Sequence, residues 1–288
     1  TPWEAVRTKV TRVDFMGVIK PVSTAYWFKG MPMCTEINCE KLNTSNVTDM
    51  SAMFSDCIRL EKVDVSKFDT SNVTSLFDMF YNCGKLTVID VSNWNTDNVV
   101  NMDYVFQRCS KVKYLDVSKW NTSNTTSMIC TFEGCSAIEI IDISNFDTSK
   151  VTSLEGFIAS CSSLKYIDFS SFTFENVDSL EMMFAYCSSL EYINLENFDT
   201  RNVSVMTKMF YGTSGLDKIT VGENFKLEGN GTNTPATFPA SGGPLSSGNW
   251  YRISDGERFT AANLPDELFA TYISNNGDSF TITKKNYH

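Results

Sequence analysis

The sequence predicts an α/β protein in which short parallel strands alternate with short helices along a solenoid. Three observations predict this fold: a period of 26 residues, an alternating apolar pattern in one part of each period, and apolar spacings of three and four in another part. A single repeat of this size cannot bury its own apolar side, so such repeats are stable only when they stack. The chain is therefore expected to form one stack with a capping segment at each end.

The period is clearest in three columns of residues that recur every 26 positions. The cysteine column contains Cys57, Cys83, Cys109, Cys135, Cys161 and Cys187. The first aromatic column contains Phe54, Phe80, Phe106, Phe132, Ile158, Phe184 and Phe210. The second aromatic column contains Phe68, Trp94, Trp120, Phe146, Phe172 and Phe198. Self-similarity sustained over this many periods is the signature of a repeat architecture.

Each repeat is expected to consist of a strand, a turn and a short helix. Leu60, Val63 and Val65 have the L-x-x-L-x-L spacing of a leucine-rich repeat, and the polar residues between them indicate a half-buried strand. The Asp-Thr-Ser-Asn segment that follows supplies side chains suited to a turn and a helix N-cap. Apolar residues between Val73 and Cys83 then recur at spacings of three and four, which predicts a short helix.

The same template predicts nine strand units and places the boundaries of the stack. The repeats are expected to occupy residues 1–225, with residues 1–9 as an N-terminal cap. Residues 226–249 are rich in Gly, Ser, Thr and Pro, which indicates an irregular connection. Residues 250–288 regain a strand-like pattern and are expected to form a small β-containing C-terminal cap over the last repeat. A separate functional module is the alternative, although about 40 residues provide little core of their own.

Three repeated motifs carry a resemblance to a known family. Residues 43–50 read NTSNVTDM, residues 68–75 read FDTSNVTS, and an M-F-x-x-C motif occupies residues 53–57. These motifs resemble the BspA-like leucine-rich repeats of bacterial surface proteins, over about residues 10–225. The resemblance implies a right-handed solenoid with a concave parallel sheet and convex helices, an extracellular or bacterial cell-surface location, and a role in adhesion. The departures from the repeated turn, which affect local loop geometry, are Thr125, Lys150 and Phe174.

Composition argues against several classes of function. The formal net charge of -10 disfavours binding to nucleic acid, which requires clustered Lys and Arg, and to an anionic membrane. No apolar run is long enough for a transmembrane helix. The single histidine, His288, argues against Ser-His and Cys-His catalysis. We expect no enzymatic activity and no cofactor.

The nine cysteines are expected to be buried free thiols. Neighbouring side chains in a stack are about 4.8 Å apart and parallel, whereas a disulfide needs Cβ atoms that are closer and converge. Zinc sites need four converging ligands, often with C-x-x-C spacing, which this sequence lacks. Cys130 lies outside the cysteine column and is expected to be partly exposed.

Two columns of outward strand residues form the candidate binding face. The tyrosine column contains Val88, Tyr114, Ile140, Tyr166 and Tyr192, preceded by Arg12, Glu36 and Lys62 and followed by Lys218. The aspartate column contains Asp64, Asp90, Asp116, Asp142 and Asp168. A contiguous exposed apolar column favours binding, because monomeric proteins rarely expose large apolar patches. The alternative is that these residues reflect β-propensity alone.

The aspartate column has two interpretations. Carboxylates about 4.8 Å apart repel one another, which should raise some of their pKa values, and the column would suit a basic partner. Alternatively it is a solubility stripe, relieved by hydrogen bonds from the neighbouring column of Ser66, Ser92, Ser118, Ser144 and Ser170. A flat column does not surround an ion with the six or more oxygens that calcium needs, so no metal site is expected.

Three functions are compatible with these features. The first is a non-enzymatic cell-surface or secreted protein that binds a protein or glycan of a host or neighbouring cell through its concave face. The second is a structural spacer that projects another domain of a larger surface protein. The third is a polysaccharide-acting enzyme with paired carboxylates, but the aspartates share one environment, whereas acid and base roles need environments that separate their pKa values.

Overall fold

The residues that the structure describes form eight short strands as their regular secondary structure. A computed structural model describes residues 4–216, 218–222 and 224–225, together with three strands nearer the C-terminus. The predicted connection at 226–249 lies outside the described residues except for Asn249, as does most of the predicted cap, including His288. The strands are β1 (Arg12–Asp14), β2 (Glu36–Asn38), β3 (Lys62–Val63), β4 (Tyr192–Leu195), β5 (Lys218–Val221), β6 (Asn249–Arg252), β7 (Arg258–Thr260) and β8 (Thr271–Ser274).

The strands form two sheets, one at each end of the stack. In the first sheet β1, β2 and β3 are parallel, with Arg12 opposite Glu36 and Glu36 opposite Lys62. The second sheet has the order β4-β5-β8-β6-β7, in which β4 and β5 are parallel and the later strands are antiparallel. β8 therefore lies along the edge of the last repeat, with Ile273 opposite Lys218. The domain boundaries stay predictions.

The prediction of nine strands is wrong for the middle of the stack. No strand is formed between β3 and β4, a segment that the structure describes throughout. The alternation of buried and exposed residues persists there, since Ile89 and Val91 are buried while Val88 and Asp90 are exposed. Neighbouring repeats thus keep their orientation on this side without the hydrogen bonds of a regular parallel sheet.

The predicted helices are also wrong: the described residues contain no helix, and therefore none that could span a membrane. Each repeat instead makes two successive four-residue turns. In the second turn Cys57 N–H donates to the Phe54 carbonyl at 3.1 Å. The third residue of each turn has a positive φ, which is 53° at Ala52 and 58° at Asp56. Other non-glycine residues at these two positions are Tyr26, Asp78, Asn82, Tyr104, Arg108, Cys130, Ser160, Met182, Tyr186 and Lys208.

The turns differ from a helix because half of their N–H groups bond to the next repeat. Alternate residues donate across the gap, so the apolar spacing of three and four arises without any bond from residue i to residue i−4. We call this set of bonds the turn ladder. Between one pair of repeats it runs from Met50 to Ser75 (3.1 Å), from Ala52 to Phe77 (2.7 Å), from Phe54 to Met79 (2.9 Å) and from Asp56 to Tyr81 (2.8 Å).

The repeated Thr-Ser-Asn segment also links repeats rather than capping helices. Thr96 Oγ1 donates to the carbonyl of Asn121 and accepts its N–H, both at 2.9 Å. Asn98 Nδ2 donates to the carbonyl of Ser71, in the preceding repeat, at 2.8 Å. These side chains satisfy backbone groups that a stack without strands would otherwise leave unpaired.

The two aromatic columns differ in the spacing of their rings along the stack. Successive rings of the first aromatic column are 5.3–5.9 Å apart between Phe28 and Phe132. Successive rings of the second aromatic column are 6.4 Å apart from Phe68 to Trp120. The rings of the second column are therefore 0.5–1.1 Å farther apart than those of the first.

All nine cysteines are buried free thiols in the structure. Each thiol of the cysteine column donates to a backbone carbonyl of the preceding repeat, as Cys109 does to Phe80 at 3.2 Å. Burial raises the pKa of Cys109 to about 12. The expectation that Cys130 is partly exposed is wrong, because only 8% of it is accessible and its sulfur packs against Gly156.

The turn conformation can be tested at Gly156, where φ is +58° and an added Cβ would lie 2.7 Å from Cys130 Sγ. We expect Gly156→Ala to lower the free energy of unfolding by about 1–3 kcal/mol, measured by urea denaturation. Cys130→Ala in the same chain should recover part of that loss, because it removes the clash. Gly17→Ala, which meets no atom within 4 Å, is the control. Equal stability of Gly156→Ala and Gly17→Ala would contradict the conformation described.

The buried thiols predict a loss of stability at alkaline pH. Unfolded thiols ionise near pH 9.0, whereas the pKa of Cys109 is about 12 in the folded state. The folded state therefore holds protons that the unfolded state has lost, and stability should decrease as pH rises from 9.0 towards about 12. Urea midpoints between pH 8 and pH 11 would measure this slope. The Cys109→Ala variant should show a shallower slope by about one proton, and an unchanged slope would count against the assignment.

Candidate binding face

The tyrosine column forms an exposed apolar row on the strand side of the stack. The exposed fractions are 68% for Val88, 66% for Tyr114, 67% for Ile140 and 48% for Tyr166. The residue that follows each of them in the chain is buried, since side chains alternate between the two sides of an extended segment. We call the surface formed by the tyrosine and aspartate columns the strand face. The four side chains lie on consecutive repeats, so their apolar surface is contiguous.

Tyr192 closes the row at its C-terminal end. It is half-buried and stacks on Tyr166, with 6.5 Å between ring centroids and 19° between ring planes. Lys218 Nζ lies 4.6 Å from the centroid of the Tyr192 ring, which is a cation–π distance. The Tyr192 hydroxyl is 3.3 Å from Thr220 Oγ1. Tyr192 is thus less available to a partner than the other four members of the column.

An ion-pair network closes the row at its N-terminal end. Glu36 accepts from Arg12 Nη1 at 2.6 Å and from Lys62 Nζ at 3.1 Å. Arg12 also pairs with Asp14 at 2.5 Å. The exposed apolar row is therefore bounded by charged side chains at both ends, as the apolar centre of a binding surface usually is.

Each aspartate of the aspartate column is held by the serine two residues later. Asp142 Oδ1 accepts the N–H of Ser144 at 3.1 Å and its hydroxyl at 2.7 Å. Asp168 accepts only the N–H of Ser170, at 2.8 Å. Three other members make both bonds: Asp64 with Ser66, Asp90 with Ser92, and Asp116 with Ser118.

The expected rise in aspartate pKa is wrong where a shift is resolved. Hydrogen bonds from Ser66 lower the pKa of Asp64, and those from Ser144 lower the pKa of Asp142. A carboxylate that accepts two hydrogen bonds is stabilised in its charged form, and for these two aspartates this effect exceeds the opposing effect of burial. The serine interpretation therefore accounts for how the charges are tolerated. It leaves Asp64 and Asp142 ionised and exposed to solvent.

Sequence reasoning missed a second group of acidic side chains, on the turn side. Asp103 Oδ1 accepts from the Ser127 hydroxyl at 2.5 Å and from Ile129 N–H at 2.8 Å. Burial, then Glu181 and Glu133, raise the pKa of Glu155 nearby. Asp103, Glu155 and Glu181 share one position of the repeat, which Ile129 interrupts, so a partial periodic signal could have marked them. Across the described parts of the chain, no three Cys, His, Asp or Glu side chains are arranged to hold a metal ion.

The origin of the low aspartate pKa can be tested by removing one hydroxyl. Ser144→Ala should raise the pKa of Asp142 towards its ordinary value, because the carboxylate loses the hydrogen bond that favours its charged form. A carbon-detected NMR titration of the aspartate carboxyl groups would measure the change. Ser149→Ala is the matched control, since it should raise the pKa of Asp147 and leave Asp142 unchanged. If the pKa of Asp142 were the same in the Ser144→Ala variant, the assignment of its low value to the Ser144 hydrogen bond would be contradicted.

Comparisons with known proteins identify a family for the repeats. Residues 22–140 and 126–225 match the family described as "Mycoplasma protein of unknown function, DUF285". A solved leucine-rich repeat protein from Bacteroides ovatus ATCC 8483 is similar at 18% identity, with a TM-score of 0.41. That similarity covers 75% of this chain and 64% of the Bacteroides chain, so this chain spans less than two thirds of that protein. No curated protein matches. The chain belongs to the DUF285 family.

Proposed function

We propose that this protein is a non-enzymatic binding protein whose strand face engages a macromolecular partner. The observation that carries the proposal is the contiguous exposed row of Val88, Tyr114, Ile140 and Tyr166. The buried neighbours of these residues already supply the core, so the exposed side chains are not needed for stacking. An apolar row of this length on a soluble surface typically marks an interaction site.

The composition of the row suits recognition. Tyrosine contributes a large rigid apolar ring together with a hydroxyl, and it is enriched at the centres of interfaces. Charged groups at both ends, Lys62 with Glu36 and Lys218 over Tyr192, form a polar rim around that centre. This arrangement resembles the apolar core and polar rim of protein interfaces.

The finer features of the proposal rest on the resemblance to BspA-like repeats. They are a right-handed solenoid, a concave strand face, an extracellular or bacterial cell-surface location, and adhesion to a protein or glycan of a host or neighbouring cell. Handedness and curvature stay predictions.

A spacer role is the second candidate. The observation that favours it is the turn ladder, which repeats along the stack and would stiffen it as a rod. A spacer does not need exposed apolar residues, and it would tolerate their replacement by polar ones. The two functions therefore differ in what the tyrosine column is for.

The binding function can be tested by removing the two most exposed rings of the row. Tyr114→Ala with Tyr166→Ala should weaken binding to a partner identified on an array of matrix proteins, mucins and glycans by more than about tenfold. The thermal midpoint of the variant should stay within about 3 °C of the unmodified protein, because neither ring is part of the core.

A matched control is Val100→Ala, which removes an exposed apolar side chain outside the strand face. It should leave binding unchanged. Unchanged binding in the tyrosine double variant, or a protein that binds nothing on the array, would contradict the proposed function and favour the spacer.

A further inference from the structure

We infer that the partner segment is an extended polypeptide that runs along the stack, with alternate side chains apolar and cationic. Its apolar side chains contact the tyrosine column, and its Lys or Arg side chains pair with the aspartate column. The inference rests on the proposed function and names the chemistry of its partner. Three properties of the strand face support it: its repeat spacing, its charge, and the oxygen atoms that it leaves unpaired.

The spacing of the strand face matches that of an extended chain. The ring centroids of Tyr166 and Tyr192, on successive repeats of the strand face, are 6.5 Å apart. Side chains on the same side of an extended polypeptide are two residues apart, which is about 6.6–6.8 Å. One apolar side chain of the partner can therefore meet each of these two repeats, and the same register can continue along the row.

The four exposed members of the tyrosine column lie in the segment between β3 and β4, which forms no strand. One backbone hydrogen bond on this side joins Lys165 N–H to the Glu139 carbonyl at 3.4 Å. The exposed row thus coincides with the part of the stack that has no regular sheet.

The aspartate column supplies acceptors for cations. In Asp90, Asp116 and Asp142 the serine bonds occupy Oδ1, and no hydrogen bond to Oδ2 is found among the residues that the structure describes. The lowered pKa of Asp142 keeps its charge at neutral pH. A row of carboxylates of one sign, each presenting an oxygen to solvent, is complementary to a row of Lys or Arg side chains.

The charge distinguishes a basic polypeptide from a glycan. A neutral glycan gains little from a uniform row of carboxylates, and an acidic one is repelled. An extended basic segment uses both columns at once, because its successive side chains point to opposite sides. A folded partner that meets only the apolar row would leave the carboxylates without counter-charges.

The test uses a labelled seven-residue peptide that alternates Leu and Lys, with binding measured by fluorescence anisotropy. Seven residues extend over about 20 Å, which is close to three repeat spacings. A peptide of the same composition with its three Lys grouped at the centre tests register. A third peptide alternates Leu and Glu and tests charge. We expect the alternating Leu-Lys peptide to bind at least about tenfold more tightly than either control.

Paired carboxylate variants locate the charge contact. Asp116→Asn with Asp142→Asn should weaken binding of the Leu-Lys peptide by about tenfold and reduce its dependence on salt. Asparagine keeps the acceptor for the serine bonds, as Asn194 does in accepting Glu196 N–H, so the fold is retained. The control is Asp69→Asn with Asp147→Asn, which removes the same charge from serine-bonded aspartates outside the strand face. It should leave binding unchanged.

The outcomes separate this inference from the proposed function. Equal binding of the alternating and grouped peptides, or equal effects of the two pairs of aspartate variants, would overturn the inference. If an array partner is a glycan that needs Tyr114 and Tyr166, and the Leu-Lys peptide does not compete with it, the inference fails while the proposed function stands. Competition between the peptide and an array partner would support both.

Discussion

The rest of the structure depends on the backbone hydrogen bonds that join the turns of successive repeats. Buried N–H and carbonyl groups must be paired, and a helix would pair them within one repeat. Here alternate N–H groups bond to the next repeat instead, as Ala52 does to Phe77. This pairing requires positive φ at two positions in each repeat, and it sets the spacing at which the Phe and Cys columns stack. Thr and Asn side chains complete it from the flanking segment.

Because the hydrogen bonds of the turn ladder join successive repeats on the turn side, the strand side does not have to join them. Inner residues such as Ile89 and Leu115 still fill the core, but the middle repeats need no sheet there. Outward residues can then vary in chemistry without affecting the stack. The change from charged residues at Glu36 and Lys62 to apolar ones from Val88 onwards takes place on this free side. A binding face can thus diversify while the repeat is maintained.

The sequence was sufficient to predict the period, the inward and outward sides of each repeat, and the burial of most cysteines. This was possible because burial recurs with the same 26-residue period as the sequence. The turns in place of helices were not predictable, since apolar spacings of three and four fit a helix and a pair of turns equally well. Glycine at the third residue of a turn would have indicated a positive φ, but only some repeats have glycine there. Residues such as Tyr104 and Arg108 have a positive φ that their side chains do not indicate. At the candidate site the exposed row was predictable. The sign of the aspartate pKa shift was not, because it depends on serine hydrogen bonds that only the folded backbone aligns.

The turn ladder also gives the stack a direction. Its bonds run from the N–H groups of one repeat to the carbonyl groups of the next, as from Thr24 to Asp49 and from Met50 to Ser75. Peptide dipoles that point the same way add, as they do in a helix, whereas those of neighbouring residues in a β-strand largely cancel. The first repeat therefore ends in partial negative charge and the last in partial positive charge. The two ends of the stack therefore differ in partial charge. A cap on the first repeat has to supply hydrogen-bond donors, and a cap on the last repeat has to supply acceptors.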